Sequence, residues 1–297
     1  MVRTGDTTVL CGVRGETLTT SQIPNYRASI LSTADTAITT STDELRAYDL
    51  LVPNIELATG CAPNFLPGVP PTTLAQTLST RLYSLLHSSG LLNIEDLRIY
   101  HDKTEDAAGS DNKDDEDMGD VDGNGDQRTD TDDVSKREVK AYWVLYIDVL
   151  FISLDGNPFD AAWAAVLAAL RDTRLPRAYW DADREMVLCS REKTVPLSVS
   201  GLPVACTAAV FTAKERLKQM QMQTQSRNAS FWMLVDPDRF EEELCDETVT
   251  VVLDRSNGGD TKILSISKSG GTIVGPEVLR RFVKVAENRW QVFRDAF

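Results

Sequence analysis

The sequence predicts an α+β protein made of two β-rich lobes, each packed with helices. Strand-like and helix-like segments follow one another in blocks of sheet, helix, sheet and helix along the chain. The chain has 297 residues, and 42% of them are hydrophobic, which is enough for a sizeable core. We therefore expect an N-terminal lobe over 1–180 and a C-terminal lobe over 181–297.

The first lobe opens with the signature of a β-hairpin. β-Branched residues flank a turn at Gly5 and Asp6, which predicts a strand over Thr7–Arg14. Too little chain precedes the turn for a partner strand, so we expect the partner to be missing and the N-terminus to be truncated. Residues 17–48 are rich in Ser, Thr and Ala without periodicity, and they predict a long loop.

A strand and an amphipathic helix follow. DLLVPNIEL at 49–57 alternates as a strand does. Residues 72–89 predict a helix that stops at Gly90. Five leucines recur there at helical spacing: Leu74, Leu78, Leu82, Leu85 and Leu86. LLNIEDLRIY at 91–100 then predicts a turn and a short strand.

An acidic segment interrupts the chain between Asp102 and Asp133. It holds fourteen acids and three bases, and so carries −11 of the total formal charge of −14. Such a segment buries too little apolar surface to offset the entropy of ordering, which predicts a disordered insertion over about 102–137. The rest of the chain carries only −3, which does not exclude a role with nucleic acid.

The second half alternates buried strands with two helices. A β-rich run begins at Ala141, and Pro158 then fits the first position of a helix that is apolar around most of its circumference. Five strand-like segments follow: REMVLCSREKTVPLSV, LPVACTAAVFT, FWMLVDP, ETVTVVLD and KILSISKSGG. A polar stretch at about 214–229 predicts a surface insertion, and an amphipathic helix opens at Gly275 and Pro276.

The number and spacing of the cysteine and histidine residues restrict the kinds of metal site and catalytic site that the chain could form. The five cysteines have no Cys-x-x-Cys spacing, which argues against a disulfide framework or a zinc site and favours buried free thiols: Cys11, Cys61, Cys189, Cys206 and Cys245. Only His87 and His101 could supply imidazole to a catalytic triad or a metal centre. We expect a soluble intracellular protein with no signal peptide, no metal and no cofactor.

Three acidic features have both a functional and a structural interpretation. DVDGNGD at 120–126 copies the start of a calcium loop, but Thr131 stands where a bidentate Glu is needed, which favours a solvated linker. Residues 241–243, all Glu, could hold a metal together with Asp246, although a solvated acidic turn is more common. Asp148 lies within a predicted strand, where a structural carboxylate is the default.

Several segments together resemble the ribonuclease PH-like subunits of the RNA exosome. The segment at 143–176 has a strand ending in Asp-Gly-Asn, a helix beginning Asp-Ala-Ala and a Thr-x-Leu-Pro exit. Three others agree in order and spacing: GDTTVLCGVRGE at 5–16, VPNIEL…PGVPP at 52–71 and LVDPDRFEEE at 234–243. The resemblance implies a ribonuclease PH-like fold in both lobes, lacking the family's first strand. Within the family, WVLYID at 143–148 most resembles the corresponding segment of one particular ring subunit.

The resemblance also implies a dismantled phosphate site. In active members, the turn after the long strand reads D-G-G-T-R or similar, and its hydroxyl and guanidinium meet the phosphate. Here the turn is Asp155, Gly156, Asn157, Pro158, Phe159 and Asp160. Pro158 removes an amide donor, Phe159 replaces the arginine, and Asp160 adds a negative charge. The sequence therefore predicts no catalytic and no phosphate-binding residues.

The implied function is that of a non-catalytic structural subunit of the exosome core ring. Such a subunit supports 3′-to-5′ RNA processing and degradation, including ribosomal RNA maturation, by associated nucleases. The implied partners are other ring subunits, a cap subunit, hydrolytic nucleases and single-stranded RNA, in the nucleus, nucleolus and cytoplasm. Arg81 and Lys268 are candidates for contact with RNA phosphates. The alternative is an active phosphate-dependent 3′-to-5′ exoribonuclease.

Overall fold

The structure is a computed structural model that describes most of the chain. The described residues are 1–24, 26, 44–66, 68–102, 137–212, 231–256, 258–270 and 274–296. The predicted acidic insertion, the calcium-like motif and the polar insertion therefore lie almost entirely outside the described residues.

A five-stranded sheet forms the first lobe and is built around one long strand. Its strands are β1 Val2–Thr4, β2 Thr7–Thr19, β3 Leu51–Leu57, β4 Arg98–Asp102 and β5 Arg137–Ser153. β5 pairs antiparallel with β2, parallel with β3 and antiparallel with β4. The buried side chains of β5 include Tyr142, Leu145 and Phe151, so this strand is the core of the lobe.

The N-terminal hairpin corrects two predictions. Its partner strand is present, because Val2–Thr4 pairs antiparallel with β2 across a turn in which Gly5 has φ +59°. A strand of three residues shows no alternation, so the sequence pattern did not reveal it. β2 also continues to Thr19, which lies opposite Ala141 of β5, before a short 3₁₀ turn at Thr20–Gln22. The long neighbouring strand supplies a ladder for residues that were predicted to form a loop.

The predicted helix of the first lobe is confirmed. α1 spans Thr73–Ser89; Thr72 Oγ1 accepts the Ala75 amide at its start, and Gly90 adopts a left-handed conformation at its end. Four of the five predicted leucines are buried: Leu78, Leu82, Leu85 and Leu86. Leu74, in the first turn, is 38% exposed, and its neighbour Ala75 is the buried residue of that turn.

The second lobe is a four-stranded sheet in the order β11-β10-β8-β9. These strands are β8 Val204–Thr212, β9 Phe231–Val235, β10 Glu247–Asp254 and β11 Lys262–Ser269. A separate hairpin of β6 Arg174–Asp181 and β7 Met186–Pro196 precedes it. The boundary predicted at residue 180 lies near the end of β6, inside this hairpin, and the two-lobe division at that residue stays a prediction.

Other helices that accompany the sheets in the described part of the chain are α2 Pro158–Asp172, α3 Arg239–Leu244 and α4 Pro276–Ala296. α2 is buried around most of its circumference, as predicted, and it contacts both β2 of the first sheet and β8 of the second. Its Trp163 donates a hydrogen bond from Nε1 to the carbonyl of Pro203 at 2.8 Å. α2 is thus the shared core element of the two lobes.

The five cysteines are free thiols, and their burial varies. Cys61 and Cys206 are buried, but Cys189 is exposed, which corrects the expectation of burial at that position. Cys189 lies on β7, whose side chains are largely exposed. Within the described part of the chain, no helix is long and apolar enough to cross a membrane.

The contrast between Leu82 and Leu74 gives a test of the packing of α1. Leu82→Ala should destabilise the protein by about 2–5 kcal/mol, because a fully buried leucine leaves a cavity. Leu74→Ala, on the same helix, should cost about 1 kcal/mol or less. Urea unfolding followed by circular dichroism would measure both changes. Equal losses would contradict the described position of α1.

Candidate functional site

The predicted phosphate turn is an ordered junction between three parts of the fold. Thr7 fastens it to β2, because its Oγ1 donates to the carbonyl of Gly156 at 2.8 Å and accepts the Asp155 amide at 2.9 Å. Gly156 has φ +81°, and a Cβ there would lie 2.5 Å from the Pro237 carbonyl oxygen. Glycine is therefore required for the loop before α3 to pack directly on the turn.

Asn157 places the start of α2 against acidic side chains. It adopts φ +44° before the helix, and its side-chain amide donates to Asp160 Oδ2 at 2.9 Å and to Asp236 Oδ1. Its backbone N–H donates to Glu242 Oε1 at 2.8 Å. An amide at a helix N-terminus is a typical donor to phosphate. Here that donor is taken by a carboxylate of α3.

Asp160 is a buried carboxylate that joins α2 to the second sheet. It accepts the Thr207 amide at 2.9 Å and the Thr207 hydroxyl at 2.7 Å. Nη2 of Arg289, on α4, lies 3.7 Å from Asp160 Oδ2 and 3.5 Å from Asp236 Oδ1. Burial raises the pKa of Asp160 above its ordinary value, and the charge of Arg289 and the hydrogen bonds only partly oppose that rise. The donors fit a structural role.

The electrostatics of the junction oppose the binding of another anion. Burial raises the pKa of the Glu242 carboxyl, and the neighbouring Asp160 and Asp155 raise it further. Pro158 has no N–H to offer, and Phe159 is buried. Among the described residues, the site therefore combines several carboxylates with the ion-pairing guanidinium of Arg289 and with that of Arg81 on the ring of Phe159.

The two predicted RNA-contact residues both have partners inside the protein. The guanidinium of Arg81 lies 3.8 Å from the ring centroid of Phe159 and donates to Thr250 Oγ1 at 3.0 Å. Burial lowers the pKa of Arg81. Nζ of Lys268 bonds Glu247 Oε2 and the Gly270 carbonyl, each at 2.8 Å. Arg81 thus contacts the predicted turn, whereas Lys268 lies on β11, and RNA contact by either stays a prediction.

The three glutamates of α3 have three different partners. Glu241 forms a capping box with Asp238, Glu243 pairs with Arg239 at 3.2 Å, and Glu242 bonds Asn157. Glu242 is therefore not simply part of a solvated turn, which corrects that expectation. Among the described residues, no group of three or more His, Cys, Asp or Glu side chains could hold a metal ion.

Two other candidate side chains make ordinary structural contacts. Asp148 is exposed, and its Oδ1 accepts a hydrogen bond from Asn54 Nδ2 on β3 at 3.2 Å. His87 is buried, with Nδ1 2.8 Å from the carbonyl of Tyr83 one turn earlier. The structure brings neither of them to the turn at 155–160.

The sequence did not reveal that Thr7, Thr207 and Arg289 belong to the junction, nor did it reveal the individual role of Glu242. Thr207 is one of many β-branched residues in β8, and Arg289 is one of several basic residues in an amphipathic helix. They lie 47 and 129 residues from Asp160, so no local spacing connects them with the turn. The motif LVDPDRFEEE was a signal for α3, but it did not distinguish Glu242 from its neighbours.

The chain is similar to known exosome proteins. Residues 1–176 match the family model RNase_PH, described as "3′ exoribonuclease family, domain 1". The chain is 32% identical to "Exosome complex component rrp43" of Schizosaccharomyces pombe over 240 residues, covering 81% of this chain and 67% of that protein. It is 26% identical to "Exosome complex component Rrp42" of Archaeoglobus fulgidus over 168 residues, covering 56% of this chain and 53% of that one.

Solved structures support the same fold. One, described as an Archaeoglobus fulgidus exosome with RNA bound to the active site, matches with a TM-score of 0.60 at 20% identity, covering 99% of this chain and 81% of that chain. An archaeal exosome core matches with a TM-score of 0.53 at 19% identity, covering 98% of this chain and 78% of that chain. At these identities, the likeness establishes the architecture.

Gly156 provides a test of the junction. Gly156→Ala should destabilise the protein by at least about 2 kcal/mol, because a methyl group would meet the backbone at Pro237 and Arg239. Gly90→Ala is the matched control, since Gly90 has φ +66° but open space around it, and it should cost about 1 kcal/mol. Thermal unfolding of both variants would compare them. A loss at Gly156 no larger than at Gly90 would contradict the close approach.

Proposed function

Because the chain belongs to the RNase PH family of 3′ exoribonucleases, we propose that it is a non-catalytic structural subunit of an exosome core ring. Within the family, WVLYID at 143–148 predicted a likeness to the subunit called ribosomal RNA-processing protein 43. The similarity to "Exosome complex component rrp43" of Schizosaccharomyces pombe confirms this likeness.

The single observation that carries the proposal is the hydrogen bond from the Asn157 amide to Glu242. Phosphorolysis needs inorganic phosphate held beside the RNA linkage by amides and a guanidinium. In this chain an internal carboxylate takes the amide, and Phe159 stands where active members have arginine. Loss of one such donor costs about 3–4 kcal/mol of transition-state stabilisation, or roughly 10²–10³ in rate.

The proposed role is to complete a ring that guides single-stranded RNA to associated hydrolytic nucleases, including during ribosomal RNA maturation. A net charge of −3 outside the acidic segment gives the chain no overall positive charge with which to attract RNA by itself. RNA affinity would then come from the assembled ring, in which this chain adjoins other RNase PH-like subunits and a cap subunit. We propose the nucleus, nucleolus and cytoplasm as its location.

Exposed apolar side chains on the second lobe support a role in assembly. β9 is an edge strand of its sheet within the described chain, and its Trp232 is 56% exposed. Phe240 and Leu244 are also exposed, one turn apart on the neighbouring α3. An edge strand with large exposed apolar groups is a liability for an isolated chain, and contact with another subunit would remove it.

The purified chain should be inactive in phosphorolysis. Incubated with single-stranded RNA and inorganic phosphate, it should release nucleoside diphosphates no faster than a protein-free control, because Glu242 already takes the Asn157 amide at the start of α2. Chromatography of the products would measure this, beside an active phosphorolytic enzyme under the same conditions. Release of nucleoside diphosphates that disappears in the variant Asn157→Asp would contradict the proposal and favour the alternative, an active exoribonuclease.

Assembly should depend on the edge of the second sheet. Co-expressed with the ring paralogues of its own source, the chain should appear in native mass spectrometry as part of a hetero-oligomer. Trp232→Glu combined with Phe240→Glu should reduce incorporation at least about tenfold, because charge would be buried at the contact. The control Val292→Glu changes another exposed apolar residue, on α4, and should incorporate normally. Normal incorporation of the double variant would exclude this surface.

A further inference from the structure

A second site lies at the far end of α2 from the turn at 155–160. A cavity of about 440 Å³ opens between the last turn of α2, the connection from β10 to β11 and the C-terminal part of α4. Arg171 follows Asp160 by eleven residues, so roughly 17 Å of helix separates the cavity from the junction at Asp160. The cavity therefore lies away from the turn at 155–160, although its Trp290 directly follows Arg289 of the junction on α4.

Three arginines from three different elements line this cavity. They are Arg171 on α2, Arg255 after β10 and Arg294 on α4, and the described residues that line the cavity include no Asp or Glu. Arginine is the side chain that best matches the geometry and charge of an anion such as phosphate, so a wall with three of them suits an anionic ligand. The composition of the wall therefore indicates an anionic ligand.

The guanidinium of Arg255 is held in place without a carboxylate partner. Its Nη2 donates to the carbonyl of Gly259 at 3.1 Å, and its Nε is buried with no hydrogen-bond partner among the described residues. Arg171 donates from Nη2 to the carbonyl of Gly201 at 3.0 Å. Arg294 pairs with Asp295 at 3.0 Å, but both side chains are more than half exposed, so that pair is weak and readily exchanged.

Hydrogen bonds within the protein hold the lining of the cavity in place. Trp290 is buried, and its Nε1 donates to the carbonyl of Leu202 at 2.7 Å. Asp254 Oδ1 accepts the amides of Leu202 and Ser256 and the Ser256 hydroxyl, which fixes the chain on either side of the opening. These contacts hold the wall in position before any ligand arrives, which reduces the entropic cost of binding.

We propose that this arginine pocket, formed by Arg171, Arg255, Arg294 and Trp290, binds a phosphate-bearing ligand of about mononucleotide size. Guanidinium forks match phosphate oxygens in geometry and charge, and three of them suit a dianion better than a single carboxylate. The volume lies within the range of small-molecule sites. Inorganic phosphate, a nucleoside monophosphate and the terminal phosphate of an RNA share this chemistry.

Calorimetric titration of the full chain at low salt tests the proposal. The probes are inorganic phosphate, adenosine 5′-monophosphate, and an RNA trinucleotide with and without a 5′-phosphate. Arg294→Glu and Arg255→Gln should each weaken binding of the phosphorylated probes at least about tenfold. Arg281→Glu is the matched control, because it makes the same change of charge at an exposed position on α4 outside the pocket, and it should bind within about twofold of the natural chain.

The probes also separate the sources of the phosphate. Equal affinity for inorganic phosphate and the monophosphate assigns the site to the anion alone, whereas tighter binding of the monophosphate or the phosphorylated trinucleotide assigns it to a nucleotide or an RNA end. Either of these two results supports the proposal that the arginine pocket binds phosphate. Absence of binding by the natural chain, equal binding of the unphosphorylated trinucleotide, or equal losses in Arg281→Glu would overturn it. Because the pocket is remote from Asn157, these results are independent of the phosphorolysis assay.

Discussion

Asp160 is buried at the start of α2 and accepts hydrogen bonds from both the amide and the hydroxyl of Thr207 on β8. A buried carboxylate is costly unless donors and positive charge surround it, and here Asn157 and Arg289 complete its environment. Satisfying this one group positions the turn after β5, the second sheet and α4 relative to one another. The contact of α2 with both sheets depends on the same arrangement.

The same constraint brings an internal carboxylate to the start of α2. Once Asp160 holds α2 against β8, the loop before α3 packs on Gly156 and brings Glu242 to the Asn157 amide. The N-terminus of α2 still binds a negative group, and that group is an internal carboxylate with a structural role. A side chain of the protein itself can thus take a backbone amide at a helix N-terminus that would otherwise be open to an external anion.

The elements predicted most reliably from the sequence were those with strong periodicity. α1 and α2 were correct because leucine spacing and continuous apolar character directly reflect a helix against a sheet. β1 was missed because three residues carry no period, and the end of β2 because it begins a long stretch without periodicity and becomes a strand by pairing with β5. The turn at 155–160 was located from the sequence. Its partners Thr207 and Arg289 were not, because contacts between distant residues leave no local pattern.

The state of the Asn157 amide tests the central claim most directly. Its resonance can be followed by heteronuclear NMR of the full chain while inorganic phosphate is titrated. If Glu242 occupies this donor, the Asn157 resonance should stay unmoved at phosphate concentrations that saturate any other site on the protein. A saturable shift of the Asn157 amide would show that phosphate reaches the start of α2, and it would contradict the interpretation of this chain as a structural subunit with a filled anion site.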